Sequence, residues 1–343
     1  MSENLIFALF VCVPLIAGGL LVYYLRSSGD EQSLRSLLVG NLLVLCFLLT
    51  FLFAVAEGYY RYFYDTTDSL GYTMVSRRWY QRHNISNSAG FRDNKEYAPK
   101  IEPGKRRVTF LGDSFTMGHG VKNVDARFGN LIRAAHPEWE VNVIAFSGLE
   151  TQGEIDLLET GLNNGYQIDQ VVLVYCLNDV ADIFPEWGNA YQAIIAEADE
   201  KNWLRRNSYF VDTIYHHYKA SRNPYINNYF HFVKKGYAGS LWEKQKQRLI
   251  ALNDMVTSHG GNLRVVTFPF LHAVGPHYEF QSVHDELNRF WDRQGVPHLD
   301  LLSGYSTYAP KEITVNRYDA HPNEFAHAIA AKKMDGFLRS SMK

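Results

Sequence analysis

The sequence of 343 residues is poor in cysteine and has no excess of charge of either sign. Its three cysteines cannot form the disulfide framework of a small secreted domain. The 34 Lys and Arg nearly balance 36 Asp and Glu, whereas a nucleic-acid-binding protein carries a basic excess, so we expect no nucleic-acid partner. Disorder is excluded too, because 46% of the residues are hydrophobic and the formal net charge is only -2.

Cofactor motifs are also absent from the sequence. It contains no GxGxxG or Walker A segment for a nucleotide and no HEXXH or CxxC pair for a metal ion. Its 13 histidines do not cluster in the sequence at the spacing of metal ligands. We therefore expect a protein that works without a cofactor or a metal ion.

Two long apolar runs lie near the N-terminus. Residues 5–25 and 37–55 contain no charged side chain, and each run is about 20 residues long, enough to cross ~30 Å of hydrocarbon as a helix. A buried core helix is the alternative. A cleaved signal peptide is disfavoured because Glu3 is acidic and a second run follows directly. Residues 1–57 therefore predict a two-helix transmembrane hairpin with these two spans.

Basic residues indicate how the hairpin is oriented. The polar turn from Arg26 to Ser36 carries Arg26 and Arg35, and nothing basic precedes the first span. The positive-inside rule then puts the turn in the cytoplasm and both termini outside, although Arg61 after the second span counts against this. We expect a multi-pass membrane protein with two spans, whose following domain is extracytoplasmic, in the periplasm.

Residues 58–105 are interpreted as a juxtamembrane linker rich in aromatic and basic side chains. Such side chains suit the lipid headgroup zone, and they suit equally a linker that packs on the following domain. The residues concerned are Tyr59, Tyr60, Arg61, Tyr62, Tyr64, Arg77, Arg78, Trp79 and Tyr80.

Residues 106–343 alternate between strand-like and helical patterns. Short apolar runs that predict strands occur at 107–111, 141–146, 170–175, 263–268 and 297–301, and helical spacing occurs at 128–135, 154–162, 242–259, 283–294 and 324–338. This alternation predicts a parallel sheet that is covered by helices on both faces. In such sheets ligands bind at the carboxyl ends of the strands.

Chemically suggestive residues follow three of these strands and precede the last helix. Ser114 follows the first strand in a turn flanked by glycines, where a base could make its hydroxyl a nucleophile. Gly148 and Asn178 follow the next two strands and could donate to a developing oxyanion. His321 could be the base and Asp319 its partner. Each segment alone is also typical of an ordinary turn or helix cap, but their co-occurrence in this order indicates a catalytic site.

Together these segments resemble the four sequence blocks of the SGNH (GDSL-type) hydrolase family. The resemblance covers roughly residues 106–343 and includes Phe115–Gly118 after the serine and Pro322–Asn323 after the histidine. It implies a flavodoxin-like three-layer α/β/α fold and ester or acyl chemistry without a cofactor.

The resemblance also implies a role for each of the singled-out residues. Carried over to this sequence, Ser114 is the nucleophile, His321 the base and Asp319 the acid that partners it. The oxyanion hole would consist of the Ser114 N–H, the Gly148 N–H and the Asn178 side chain.

The sequence departs from the family pattern at two places. The third block usually begins with Gly, and Cys176 stands there, so the packing in that block is expected to differ. The family's acid usually lies three residues before the histidine, where this chain has Tyr318, whereas Asp319 at two residues resembles some bacterial members, including the alginate O-acetylation type. His119 and His327 are interpreted as histidines outside the catalytic set.

An aromatic-rich insertion at about 181–240 interrupts the α/β pattern. Because it follows the carboxyl end of a strand, we expect it to overhang the site as a cap or lid. Its aromatic faces suit sugar rings or acyl chains, and the same surface could meet the membrane or a partner. The alternative is that these aromatics form a small core of the insertion itself.

The sequence as a whole predicts a membrane-anchored serine esterase or O-acyltransferase that acts through an acyl-enzyme. The expected substrate is an acylated cell-envelope molecule, a polysaccharide or a lipid-linked glycan. The expected partners are the lipid bilayer, this acylated glycan or lipid, and a membrane acyl-donating protein. The alternative is a non-catalytic SGNH-fold component that binds or assembles in an envelope complex.

Overall fold

The computed structural model describes residues 2–28, 33–184, 187–188, 191–192, 194–196 and 202–342. Its helices are α1 (Glu3–Ser27), α2 (Leu34–Tyr62), α3 (Met74–His83), α4 (Ser114–Met117), α5 (Phe128–Ala135), α6 (Thr151–Asn163), α7 (Trp203–Asn207), α8 (Tyr209–Ala220), α9 (Pro224–Lys235), α10 (Gly239–Ser258), α11 (Gln281–Gln294), α12 (Leu302–Tyr305), α13 (Pro310–Ile313) and α14 (Glu324–Ser341). Its strands are β1 (Arg106–Gly112), β2 (Trp139–Ala145), β3 (Gln170–Cys176), β4 (Asn262–Phe268), β5 (His298–Asp300), β6 (Thr314–Asn316) and β7 (Asp319–Pro322).

Helices α1 and α2 form an antiparallel hairpin that contains both predicted spans. Their mean hydropathies of 2.8 and 2.6, together with their lengths, make them candidate membrane spans. Only 6% of each apolar window is buried, which disfavours the alternative of core helices. Tyr24 Oη donates to the Ser36 carbonyl at 2.7 Å at one end, and Arg61 donates to the Glu3 carbonyl at 3.2 Å at the other. The orientation across a bilayer stays a prediction, and residues 29–32 of the polar turn lie outside the described residues.

The following domain contains a five-stranded parallel sheet in the order β2-β1-β3-β4-β5. Helices α5 and α14 pack together on one face, and α6, α10 and α11 cover the other. This is the flavodoxin-like strand order, in which the chain reverses direction across the sheet between β1 and β3 and leaves a crevice at their carboxyl ends. The predicted α/β fold with a parallel sheet is confirmed.

The central strands are apolar along their whole length because both faces of the sheet are covered. All seven residues of β3 are buried, as are six of the seven in β1 and in β4. The predicted strands therefore agree with the observed ones to within about two residues. The short elements that were not predicted from the sequence include α3, α4, α12, α13 and the antiparallel pair β6–β7.

Segment 58–105, expected as a juxtamembrane linker, contributes buried contacts to the α/β domain. Asp93 is buried and accepts hydrogen bonds from Arg127 Nη2 at 2.9 Å and from Arg133 Nη2 at 2.7 Å. The pKa of Asp93 falls to about 2, because these arginines outweigh the burial that would raise it. Trp79 of α3 is also fully buried. This part of the segment therefore packs on the domain.

We expect Asp93→Ala to destabilise the protein strongly. The substitution leaves the buried guanidinium groups of Arg127 and Arg133 without their carboxylate, which costs about 3–5 kcal/mol and lowers Tm by roughly 10 °C. Thermal unfolding of the full chain in detergent measures the effect. Asp254→Ala, at an exposed position of α10, is the matched control, and an equal Tm for both variants would contradict the prediction.

Candidate active site

Ser114 lies at the crevice, in a tight turn directly after β1. It is the first residue of α4, and Asp113 caps that helix by accepting from the Phe115 N–H at 2.9 Å. Gly112 is required by close packing, since a Cβ there would lie 2.9 Å from Thr116 Cβ and 3.0 Å from the Val174 carbonyl oxygen. The turn thus presents the Ser114 hydroxyl at the carboxyl edge of the sheet.

The structure brings the three residues of the predicted catalytic set into hydrogen-bond contact. His321 Nε2 lies 2.8 Å from Ser114 Oγ, and His321 Nδ1 lies 2.6 Å from Asp319 Oδ1. The backbone N–H of His321 donates to the same carboxylate oxygen at 3.1 Å. With Nδ1–H held by Asp319, Nε2 is free to accept a proton from the serine. The spacing of two residues between acid and histidine works here because both residues stand on β7.

The second oxygen of Asp319 is also occupied. Thr67 Oγ1 donates to Oδ2, and His119 Nε2 lies 3.2 Å from it. Burial alone would raise the pKa of Asp319, but the neighbouring His119 and His321 hold it well below its usual range. The carboxylate is therefore ionised and has hydrogen-bond donors on both oxygens.

His119, interpreted from the sequence as a histidine outside the catalytic set, lies directly beside that set in the structure, with its Nε2 3.2 Å from Asp319 Oδ2. Its buried ring stacks on that of His321 with centroids 4.2 Å apart, and its Nδ1 lies 2.5 Å from Tyr80 Oη. The chain turns back after α4 through Gly118, whose φ of 79° is left-handed, and this returns His119 to the side of Ser114. The signal in the sequence was its position between two glycines, in the same turn as the serine.

His327 was also interpreted as lying outside the catalytic set, and it contacts none of the residues around Ser114. Its Nδ1 accepts from the Phe128 N–H at 3.2 Å, and the two rings stack at 5.3 Å. Burial lowers the pKa of His327 to about 3, so it is a neutral histidine of the core.

The pKa values of the two histidines beside Asp319 are shifted in opposite directions. Burial and the adjacent His119 lower the pKa of His321, although Asp319 opposes them. Burial would also lower the pKa of His119, but Asp319 outweighs it and raises that pKa. The arrangement favours a cation on His119 and a neutral imidazole at His321, which is the form that a base needs.

The predicted oxyanion donors stand around the same cavity as the Ser114 hydroxyl. Gly148 adopts a left-handed φ of 82°, a conformation that favours glycine. Asn178 follows β3, and both residues line the cavity beside Ser114. Cys176, where the family pattern has Gly, is fully buried, and burial raises the pKa of its thiol. The cysteine is thus a packed core residue below Asn178, and the oxyanion roles stay a prediction.

The cavity above Ser114 has a volume of about 360 Å³, and eleven of its 22 described lining residues are aromatic or large aliphatic. The described lining residues include no lysine or arginine. Burial raises the pKa of the lining Glu150 to about 7, so this carboxyl is partly neutral. Such a cavity suits an uncharged ligand. Its aromatic and aliphatic lining comprises Leu70, Tyr72, Tyr80, Phe115, Leu149, Trp187, Tyr191, Ile226, Tyr229, Phe230 and Phe270.

The insertion contributes five of these side chains, and its rings also pack on one another. The rings of Trp187 and Tyr229 lie 4.4 Å apart, and those of Tyr229 and Phe230 lie 5.3 Å apart. Both interpretations of the aromatic residues therefore apply, since they form a small core and wall the cavity. Residues 185–186, 189–190, 193 and 197–201 of the insertion lie outside the described residues.

His119, Asp319 and His321 also have the geometry of a metal-ligand group. Their ligand atoms lie within 4.8 Å of one another. Hydrogen bonds already account for these atoms, since His321 Nε2 faces Ser114 and His119 Nε2 lies 3.0 Å from the Asp68 carbonyl.

Comparisons with known proteins give similarity to solved structures alone. No protein-family model and no curated protein match the sequence. Similar structures include that of TesA (12% identity, TM-score 0.44, covering 68% of this chain and 99% of that one). Another is the psychrotrophic esterase EstA from Pseudoalteromonas sp. (12% identity, TM-score 0.43, covering 69% of this chain and 99% of that one). A third is a member of the lipolytic G-D-S-L family from Veillonella parvula (12% identity, TM-score 0.40, covering 66% of this chain and 95% of that one). That family is the one the four sequence segments resemble, but similarity at this level carries no information about activity or substrate.

We expect His119→Gln to move the pH dependence of Ser114 reactivity upwards. The substitution removes the positive charge that lowers the pKa of His321, so that pKa rises and more alkaline solution is needed to free the base. The groups that face His119 are Asp319, Asp68, His321 and Tyr80. The midpoint on the acid side should rise by roughly one pH unit.

The rate of Ser114 labelling by a fluorophosphonate, measured from pH 5 to 9 on the full chain in detergent, checks this shift. His277→Gln, at an exposed position, is the control and should keep the wild-type midpoint. An unchanged midpoint in His119→Gln would show that His119 has a packing role only and does not lower the pKa of His321.

Proposed function

We propose that this chain is a membrane-anchored serine esterase or O-acyltransferase that acts through an acyl-enzyme. The observation that carries the proposal is the continuous hydrogen-bonded path from Ser114 Oγ through His321 to Asp319, with steps of 2.8 and 2.6 Å. These distances lie within the range that proton transfer to a general base requires. A cavity large enough for an ester-bearing group opens directly on this serine.

The geometry supports a two-step reaction. Ser114 Oγ attacks the ester carbonyl carbon while His321 Nε2 accepts the hydroxyl proton, and Asp319 stabilises the resulting imidazolium. The imidazolium then returns the proton to the leaving alcohol as the ester C–O bond breaks. Water or a second alcohol next attacks the acyl-enzyme and gives its proton to His321, which passes it to Ser114 Oγ as the bond between the acyl carbon and Oγ breaks. Hydrolysis and transfer differ only in this last nucleophile.

Electrostatic stabilisation of the intermediate is assigned to three hydrogen-bond donors. Ser114, Gly148 and Asn178 line the cavity, and the backbone N–H groups of the first two and the side-chain amide of the third would donate to the tetrahedral oxyanion. Preorganised donors of this kind act strongly in a site that excludes water.

The substrate that fits best is an acylated cell-envelope molecule outside the cytoplasm, a polysaccharide or a lipid-linked glycan. Aromatic walls suit sugar rings and acyl chains, and the described lining has no lysine or arginine to bind an anionic group. The apolar hairpin supports a tether to the membrane, which is useful if the substrate or the acyl donor resides there. A membrane acyl-donating protein is the partner expected for the transferase form.

Ser114→Ala tests the proposal directly. The full chain in detergent should hydrolyse p-nitrophenyl acetate and react with a fluorophosphonate, and both activities should be lost in the variant because it lacks the hydroxyl that His321 contacts. Ser147→Ala, which changes another serine of the cavity, is the matched control and should stay active. Equal rates for the wild type and Ser114→Ala would favour the alternative of a non-catalytic envelope component.

Asn178→Ala tests the oxyanion assignment. We expect kcat/KM for p-nitrophenyl acetate to fall by about 10²–10³, the usual effect of losing one oxyanion donor. Asn142→Ala, which removes a buried amide of β2 that donates to Tyr166, controls for general loss of packing. A fall of similar size in both variants would assign Asn178 a structural role only.

A further inference from the structure

The junction between α7 and α8 is hydrogen-bonded to a buried ion pair at the end of α2. Arg61 Nη2 lies 2.7 Å from Glu57 Oε1, and both side chains are buried. Glu57 Oε2 accepts from Ser208 Oγ at 2.6 Å, and Arg61 donates to the Asn207 carbonyl at 2.5 Å. Because these buried charged groups need their hydrogen-bond partners, the contacts with Asn207 and Ser208 hold the junction against α2.

Aromatic contacts continue this junction along the apolar surface of the hairpin. The ring of Phe210 lies 5.9 Å from that of Phe53, and the ring of Trp203 lies 6.3 Å from that of Phe10. Phe10 stands seven residues beyond Glu3, about 10 Å along the helix axis. Trp203 therefore reaches a depth comparable to the ~5–10 Å by which interfacial helices enter a leaflet.

The same two helices expose several large apolar side chains. Trp203 is 59% exposed, and Leu204 beside it is also exposed. On α8, Ile214 and Tyr218 follow Phe210 at intervals of four residues and share its face, and both are exposed, Tyr218 by 52%. Apolar side chains in such a group mark a contact surface. Here the group is continuous with the contacts to the candidate membrane spans.

We propose that α7 and the Phe210–Tyr218 face of α8 lie in the headgroup zone of the bilayer that the hairpin enters, and that the cavity above Ser114 takes an amphiphile resident in that leaflet. Helix α9 follows α8 directly and supplies Ile226, Tyr229 and Phe230 to the cavity wall. The membrane-facing element and the wall of the cavity are thus neighbouring parts of one insertion. The clause on the amphiphile rests on the proposed function, and the position of α7 and α8 does not.

Tryptophan fluorescence tests the membrane position independently of activity. The full chain is placed in phosphatidylcholine nanodiscs with or without bromine on the acyl chains near the headgroup, and quenching is compared between wild type and Trp203→Phe. Brominated lipid should quench a component that is missing in Trp203→Phe and retained in Trp139→Phe, a change on β2. The phenylalanine keeps an apolar ring at the junction, and an unchanged Tm in unbrominated discs verifies the fold.

Equal quenching of the wild type and Trp203→Phe would overturn the membrane position. It would mean that this aromatic surface is covered by something other than lipid, such as a helix of another membrane protein.

Two esters test the proposal that the cavity takes an amphiphile from the leaflet. In unbrominated discs, the double variant Trp203→Ser/Leu204→Ser should keep its kcat/KM for p-nitrophenyl acetate to within about twofold. Its kcat/KM for an acetylated diacylglycerol should fall about tenfold, because the membrane contact raises the local concentration of that ester at the cavity. Phe325→Ser, an exposed aromatic residue on α14, should change neither rate.

The outcomes separate this inference from the proposed function. An equal fall in kcat/KM for both esters in the double variant, or no fall for either, would overturn the proposal that the cavity takes an amphiphile. A wild type that cleaves only the soluble ester would overturn it too. A wild type that cleaves neither ester would overturn the proposed function, while the quenching result would still decide where α7 and α8 lie.

Discussion

The buried carboxylate of Asp319 is the group on which the site depends. Burying a charge without partners is too costly for a folded protein, so every donor to this carboxylate has to be in place at once. Its donors come from three distant parts of the chain: Thr67 follows the hairpin, His119 follows α4, and His321 stands on β7. The turn after β1, the segment after α2 and the pair β6–β7 are therefore positioned together by one charge.

The two histidines beside the Asp319 carboxylate also have separate roles, since one can carry the positive charge while the other acts as the base. A single His-Asp pair can gain a proton from solution and lose its ability to accept one from serine. Here the second imidazole, that of His119, can carry the cation beside Asp319, and its positive charge opposes protonation of the stacked His321. Since Tyr80 of α3 contacts His119 Nδ1, the segment before the α/β domain takes part in setting this balance.

The sequence predicted what is encoded locally. Strands such as β3 are apolar because the sheet is covered on both faces, and the order of Ser114, Asn178 and His321 follows the order of the strands and the last helix. The contacts of Thr67 and His119 with Asp319 were beyond sequence reasoning, because they join residues that are far apart in the chain and leave no periodic signal. The strands β6 and β7 are short and polar, so no alternation of hydrophobic residues marked them.

The chain segment just after α2 connects the hairpin to the strands that carry Asp319 and His321. Asn316 Nδ2 donates to Thr66 Oγ1 at 2.8 Å, and the Ser69 N–H donates to the Tyr318 carbonyl at 3.0 Å, so the residues just after α2 support the pair β6–β7. Helix α2 ends at Tyr62, and the five residues from there to Thr67 span at most about 18 Å even when fully extended.

Asp319 is hydrogen-bonded to Thr67, so chemistry at Ser114 is confined to within a few tens of ångströms of the hairpin's end. With the hairpin in a bilayer, as we propose, an ester far from the bilayer could react only after coming to the membrane surface. In the proposed membrane-anchored protein, the short connection therefore limits where a substrate can be, and the shape of the cavity limits which group can reach the serine.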